Sequence, residues 1–359
     1  MIRSVPEEDY VSAIIDEFHH RLPTWGGKEF VSLYFGGGTP SLLSVNAVGK
    51  CIDGITSIIG WPKEITFEAN PEHITKEYAK GLKKFGINRI SLGVQSFETT
   101  TLEALGRRHS GKEAENAIQI LQDAGFEDIS VDLIFGHAAS TPETWMKDLS
   151  TANRLGCTHL SCYELTIEEG TAFYAWQKRG KQIKCNEDIC ARMFDLIQAT
   201  LPEFQRYEIS NWSNRGHISA HNTACWAGLP YLGLGAGAHS FQKESGNSYL
   251  RRANTSNVLE YLKNPPNSKE FEEHLSPAVH LGERLFLALR TCFWFSPEYL
   301  QQTVCDFSPA LNDVLSELEK QGWIERNGEL IRSTPKGLDF HDAMSLKIVE
   351  AAEGDENLC

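Results

Sequence analysis

The stretch DISVDLIFGHAASTPETWMKDLSTANRLGCTHLSCYEL, residues 128–165, contains one complete strand–helix–strand unit. Its first eight residues form a largely apolar run, which predicts a buried strand. Pro142 to Leu155 has helical spacing, and Gly156 follows as a stop signal. The run around Cys162 predicts a second strand. A strand, a crossover helix and another strand in this order favour parallel pairing.

The same alternation continues towards the start of the chain. Further strands are predicted at EFVSLYF up to Phe35, EITFEA around Phe67 and NRISLGV around Leu92, with helices at Ser41–Ile59, Thr75–Phe85 and Lys112–Ala124. Nearly continuous apolar strands and regular connections predict an α/β fold and favour a partial (β/α) barrel over a flat sheet. An amphipathic helix over Val11–Leu22 opens the chain, and a helix in such a fold normally follows a strand. We therefore expect a first strand and its loop upstream of Met1.

From about Lys178 this rhythm stops, and a loop-rich stretch leads to the joint NPPNSKE at residues 264–270. Beyond the joint, helices are predicted at His280–Arg290 and Leu311–Gln321, followed by a hairpin at WIERNGELI with an Asn327-Gly328 turn. This order is typical of a small winged-helix-like α+β domain. We expect three units: a barrel at 1–177, an extension at 178–264 and the C-terminal domain at 265–359.

Charge and composition exclude several classes of protein. A net charge of −14 argues against nucleic acid as a partner, because binding to phosphates needs clustered Lys and Arg. We find neither a signal peptide nor an apolar run of about 20 residues that could cross a bilayer, which leaves only peripheral membrane contact. The nine cysteines are odd in number and scattered, so we expect reduced thiols, no metal site and a cytoplasmic protein.

Polar residues gather where the predicted strands end, and the carboxyl ends of the strands form the reactive face of a β/α barrel. They are the glycine run Gly36–Gly38, Glu68, Gln95 and Asp132, with Arg107 in the nearby LGRRH. Each has a structural alternative, since glycines also make tight turns and carboxylates at strand ends are often only solvated. Their coincidence on one rim favours a site for a polar cofactor.

Five motifs in this order, YFGGGTPSLLS, FEANPE, NRISLGVQSF, LGRRHS and VDLIFG, resemble the radical S-adenosylmethionine (SAM) proteins related to oxygen-independent coproporphyrinogen oxidase. The resemblance spans nearly the whole chain. It implies SAM contacts at Gly37, Gly38, Thr39, Glu68, Gln95, Arg107 and Asp132. It also implies one at His239 in GAHSF, whose alternative is an ordinary half-buried loop histidine. The segment FGHAAST departs from the family, which tends to have Leu-Pro after this glycine.

The family also carries CxxxCxxC in the loop after its first strand, where three thiolates hold a [4Fe-4S] cluster. This chain has no such triad, so the resemblance implies that the cluster ligands lie upstream of Met1. The alternative is a cluster-free barrel that survives as a binding scaffold.

Residues 207–241, YEISNWSNRGHISAHNTACWAGLPYLGLGAGAHSF, decide the branch of the family. HNTACW resembles the HNxxYW motif of the haem-chaperone branch, with Cys225 in place of the tyrosine. The resemblance implies haem binding, with His221 as iron ligand, Cys225 as competitor and Trp226 on the porphyrin face, and haem delivery to acceptor proteins. A structural alternative makes His221 and Asn222 a loop staple and Trp226 core. The other functional alternative is coproporphyrinogen III oxidase of porphyrin biosynthesis.

Overall fold

The computed structural model describes residues 6–25, 30–244, 248–304 and 306–353. The helices are α1 (Glu7–Trp25), α2 (Val45–Ile59), α3 (Lys76–Lys84), α4 (Thr99–Ala104), α5 (Gly111–Asp123), α6 (Pro142–Arg154), α7 (Ala172–Lys178), α8 (Glu187–Thr200), α9 (Ala220–Trp226), α10 (Val258–Tyr261), α11 (Pro277–Leu289), α12 (Pro297–Thr303), α13 (Pro309–Lys320), α14 (Pro335–Asp339) and α15 (His341–Glu353). The strands are β1 (Ser32–Phe35), β2 (Glu64–Ala69), β3 (Arg89–Gln95), β4 (Asp128–Phe135), β5 (His159–Glu164), β6 (Gln205–Arg206), β7 (Asn211–Ser213), β8 (His239–Lys243), β9 (Tyr249–Ala253), β10 (Phe271–Leu275), β11 (Ile324–Asn327) and β12 (Leu330–Ser333).

The main sheet has the order β1-β2-β3-β4-β5-β7-β6. Strands β1 to β5 are parallel, as the strand–helix alternation predicts. Strand β7 pairs antiparallel with both β5 and β6. Strand β7 has three residues and strand β6 has two, which is too few for a periodic pattern to be visible in the sequence.

The five parallel strands have one apolar and one polar face, so the expectation of nearly continuous apolar strands was wrong. Ile90, Val131 and Leu160 are completely buried in the core shared with the helices. Full burial of each such side chain contributes roughly 1.5–3 kcal/mol. Because side chains alternate along a strand, the neighbours Arg89, Ser130 and His159 lie on the opposite face.

Near the N-terminal ends of the strands, the polar face is covered by a later segment of the chain that includes Tyr207 and His217. His159 is almost fully buried, with Nδ1 2.7 Å from Ser130 Oγ and Nε2 2.8 Å from the Tyr207 hydroxyl. Arg89 donates from Nη1 to the His217 carbonyl at 3.1 Å. The C-terminal ends of the same strands carry the candidate rim, so the fold leaves that end for a ligand.

Helices α11, α13 and α15 enclose a second core that includes Leu285, Leu318 and Met344. The predicted hairpin is present as β11 and β12, but its two-residue turn is Gly328-Glu329 and not Asn327-Gly328. Gly328 takes a φ of 61°, as the first turn position of a type II′ hairpin requires. Strands β8, β9 and β10 form an antiparallel sheet of their own. Within the described ranges, no helix is long and apolar enough to cross a membrane.

Candidate functional site

The glycine loop that follows β1 is packed on one side and open on the other. A Cβ atom on Gly36 would lie 2.5 Å from Tyr34 Cε1 and 2.7 Å from Glu68 Oε1. Gly37 has a φ of 79°, and a Cβ atom on Gly37 or Gly38 would meet no described atom within 4 Å other than those of the adjacent residues in the chain. Thr39, next in the chain, is exposed. A small ligand can therefore reach the backbone of this loop.

Two carboxylates lie near this loop, towards the C-terminal ends of β2 and β4, the strands on either side of β3. Glu68 Oε1 accepts a hydrogen bond of 2.7 Å from the Tyr34 hydroxyl. Asp132 Oδ1 accepts one of 3.1 Å from Ser91 Oγ. The pKa of Asp132 is raised to about 6, chiefly by burial and to a smaller extent by the charge of Glu68, against hydrogen bonds from Ser161 and Ser91 that lower it. Because the two carboxylates repel each other, the pair is complementary to a cation.

Gln95 ends β3 with a φ of 68°, the one positive φ outside glycine among the described residues. The turn is held from behind by Asp148 of α6, which accepts from Ser96 Oγ at 2.7 Å and from the Phe97 N–H at 2.6 Å. Burial raises the pKa of Asp148 to about 7. Sequence reasoning missed this support, because no spacing pattern links a helix to a turn some fifty residues away.

Arg107 is exposed, and the carboxylates of Glu72 and Asp132 act on its charge. Its loop is pinned to the rim by His109, which the sequence analysis did not select. His109 Nε2 lies 2.9 Å from the Val94 carbonyl, and Nδ1 lies 3.2 Å from Glu72 Oε2. The structure thus brings Arg107 within electrostatic range of Asp132 on the rim and of Glu72.

His239 lies at the start of β8, where it is exposed and pairs with Ala253 of β9. Its charge acts on the carboxylate of Glu270. Among the described hydrogen bonds, none joins His239 to the strand-end set. Its role as a SAM contact stays a prediction.

Helix α9 carries the HN motif and is anchored on β1 and β2. Glu64 accepts hydrogen bonds from the N–H groups of Ala220 and His221, at 2.8 and 2.9 Å. The His221 ring stacks on Tyr34, with centroids 4.3 Å apart, and its Nδ1 lies 2.9 Å from Ser32 Oγ. The structural alternative for His221, in which the residue holds its segment in place by hydrogen bonds, therefore has its hydrogen bonds in the fold.

His221 and Cys225 converge on one point, since Cys225 Sγ lies 3.8 Å from His221 Nε2. Burial lowers the pKa of His221 and raises that of Cys225, so a neutral imidazole and a protonated thiol meet there. Trp226 is partly buried, and the Arg290 guanidinium lies 4.3 Å from its ring centroid. The Trp226 indole nitrogen is buried without a hydrogen-bond partner in the described part of the chain.

A second motif, EISN, meets the HN motif at the same arginine. Glu208 is fully buried and accepts from Arg290 Nε at 3.0 Å, from the Ser210 N–H at 2.8 Å and from Asn211 Nδ2. Asn222 Nδ2 donates to the Tyr207 hydroxyl at 3.3 Å. Arg290 follows α11, so this cluster fastens the C-terminal part of the chain to the residues that close the barrel. The sequence carried no signal for this pairing.

An iron–sulfur cluster finds no ligand set in the described residues, which hold no group of three His, Cys, Asp or Glu side chains able to bind a metal ion. The seven described cysteines are free thiols, as predicted, while Cys305 and Cys359 lie outside the described residues. SAM, in contrast, fits the residues present. The glycine loop is open and the two rim carboxylates match a sulfonium and an ammonium group.

Two protein families match this chain, one in its N-terminal part and one in its C-terminal part. Residues 7–152 match the radical SAM superfamily, and residues 275–340 match the HemN C-terminal domain. The heme chaperone HemW of Lactococcus lactis is 32% identical over 93% of this chain and 88% of its own length. HemW of Bacillus subtilis is 29% identical over 94% of this chain and 90% of its own length.

Among solved structures, coproporphyrinogen III oxidase (HemN) of Escherichia coli aligns with a TM-score of 0.79 over 95% of this chain and 83% of its own. The sequence identity of 19% limits that likeness to the fold, a radical-SAM barrel followed by a helical domain with small antiparallel sheets. The fold predicted from the sequence is thus confirmed. With its barrel, its C-terminal domain and relatives of this identity over most of the chain, the protein belongs to the radical-SAM family of the HemW heme chaperones.

Proposed function

We propose that this protein is a haem chaperone that binds SAM at the barrel rim and haem at residues 217–226, and that it delivers haem to acceptor proteins. The observation that carries the proposal is the convergence of two iron-ligating side chains, His221 and Cys225, on one point of α9. The names of the relatives support the choice of haem.

At the rim, Glu68 and Asp132 would hold the sulfonium and ammonium groups of SAM. Arg107 would pair with its carboxylate, and Thr39, Gln95 and the amides of Gly37 and Gly38 would bind its hydroxyl groups, with His239 as a further contact. When bound, SAM supplies a positively charged sulfonium centre. The residues of this chain bind and orient it. No step through a cluster is proposed, because the described residues do not fit one.

At α9, a neutral imidazole is a strong axial ligand to haem iron, which favours His221. Cys225 would need to lose its proton first, and its burial opposes that loss. Trp226 would cover the porphyrin face. The free thiols of the described cysteines support a reducing compartment, for which we propose the cytoplasm.

Ferric haem titrated into the purified chain tests the haem site. We expect His221→Ala to weaken binding about tenfold or more, which is about 1.4 kcal/mol or more, and to change the Soret band. Cys225→Ser should leave the spectrum nearly unchanged. His274→Ala removes an exposed imidazole on β10 and is the matched control. Unchanged affinity and spectrum in both α9 variants would place the haem site elsewhere.

SAM binding measured by calorimetry tests the rim. Asp132→Asn and Glu68→Gln each remove a carboxylate that a cation needs, so we expect each to weaken binding about tenfold. Unchanged affinity in both would show that the rim is wrongly assigned. With a CxxxCxxC segment added upstream of Met1, coproporphyrinogen supplied to the protein should still not be decarboxylated, and turnover would favour the oxidase over the chaperone.

A further inference from the structure

Tyr34 touches both proposed sites at once. Its hydroxyl donates to Glu68 at the rim, at 2.7 Å, and the face of its ring stacks on His221 of the HN motif with an interplanar angle of 24°. No other residue in the described ranges forms a hydrogen bond or a ring contact with both Glu68 and His221. Tyr34 is therefore a direct link between the cofactor rim and the haem segment.

The link is built into the register of two strands. Ser32 pairs with Glu64, and Tyr34 pairs with Thr66, so these side chains share the polar face of the sheet. Ser32 contacts the His221 ring and Glu64 holds the His221 N–H, which fixes the imidazole above Tyr34. The strand pairing thus sets both the position of the histidine and the direction of the phenol.

The glycine loop packs against Tyr34 and Glu68. A Cβ atom on Gly36 would overlap both Tyr34 and Glu68, so the loop lies directly against their hydrogen bond. A ligand on the open side of the loop that contacts Glu68 would therefore also act on the hydrogen bond from Tyr34. Packed side chains of this kind carry coupling when they have two discrete arrangements.

We propose that Tyr34 is a positioning residue that couples the two sites, so that a cationic ligand at the rim raises the affinity of the chain for haem. A cation at the rim draws the Glu68 carboxylate away from the phenol. Tyr34 is then held less firmly, and its stack with His221 gives way more easily, which frees the imidazole for iron. Since coupling is reciprocal, haem raises the affinity for the cation by the same factor. This inference rests on the proposed function.

Haem titrations with and without saturating SAM test the coupling. In the unsubstituted chain, we expect SAM to tighten haem binding about fivefold or more, the lower end of typical coupling. Tyr34→Phe keeps the ring but removes the hydroxyl that Glu68 holds. Haem affinity without SAM should therefore rise towards the value that the unsubstituted chain reaches with SAM, and the factor should fall to about one. S-adenosylhomocysteine lacks the sulfonium charge and should give a smaller factor than SAM.

Tyr78→Phe is the matched control, because its hydroxyl donates to the Leu43 carbonyl and touches neither site. It should keep the full factor. Binding of both ligands with a factor of one in the unsubstituted chain, or a full factor in Tyr34→Phe, overturns the coupling and leaves the proposed function standing. Failure of the unsubstituted chain to bind SAM or haem removes the proposed function, and the coupling with it.

Discussion

At the strand ends, Glu68 and Asp132 repel each other beside an open glycine loop, whereas Glu208 in the segment that closes the barrel is enclosed by donors. Both regions carry dense sequence motifs. The two regions differ in whether their carboxylates have partners. The carboxylates of the rim keep negative charge that a bound cation can neutralise. Glu208 instead pairs with Arg290, and this pair joins the closing segment to α11. Uncompensated charge beside open space is therefore a better sign of a ligand site than motif density.

The largest effect should come from breaking the buried pair of Glu208 and Arg290. Glu208→Ala leaves the Arg290 guanidinium without its buried partner, which should lower the free energy of unfolding by about 3–5 kcal/mol. Urea unfolding followed by tryptophan fluorescence measures this change. Glu203→Ala, at an exposed carboxylate nearby, should stay within about 0.5 kcal/mol. A loss below about 1 kcal/mol in Glu208→Ala would mean that the pair does not hold the segment.

His280 on α11 contrasts with Glu208, because neither of its ring nitrogens has a hydrogen-bond partner in the described structure. Burial, together with the charges of Arg284, Arg251 and Lys243, lowers its pKa to about 3. A pKa that is lower in the folded state means that stability is lost as the pH falls below about 6.5, since only the unfolded state then takes up the proton.

Between pH 7 and pH 5, this histidine should cost the unsubstituted chain about 2 kcal/mol of unfolding free energy. His280→Leu removes the titration and should lose correspondingly less over the same range. Urea unfolding at both pH values measures the difference between the two chains. Parallel losses would show that His280 is protonated in the folded state or shares its proton with a partner.

The pH dependence of SAM binding tests whether the rim carboxylate of Asp132 holds the ligand. Asp132 has a pKa of about 6, so it is mostly protonated at pH 5 and mostly ionised at pH 7. A cation prefers the ionised form, and SAM affinity should rise about tenfold over this range, or about 1.4 kcal/mol. Asp132→Asn should bind weakly with a flat profile in calorimetry. A flat profile in the unsubstituted chain would separate Asp132 from the ligand.

The parallel strands and the rim residues could be predicted because both follow local rules. Strand and helix periods mark the elements, and the carboxyl ends of parallel strands share one edge, which brings Glu68, Asp132 and the glycine loop together. The polar face of the sheet could be overlooked because Ser130 and Asp132 are small interruptions in an otherwise apolar run.

The remaining contacts depend on long-range pairing, which single-sequence patterns do not contain. Tyr34 and His221 are 187 positions apart, and nothing near either residue marks the other. Asp148 and His109 support the rim from a helix and a loop whose own sequences look ordinary. A sequence motif therefore indicates which ligand a segment can bind, but it does not indicate which distant residues of the same chain the segment contacts.

The smallest effect concerns the backbone at Gln95, whose φ of 68° is unfavourable for a residue with a side chain. Gln95→Gly and Gln95→Ala both remove the amide, so both should weaken SAM binding to the same extent. They should differ in stability, because glycine accepts positive φ and alanine does not. We expect the glycine variant to be more stable than the alanine variant by about 1 kcal/mol, measured by urea unfolding. An alanine variant of equal stability would show that the turn held by Asp148 stores no backbone strain, and that Gln95 stands there for its side chain alone.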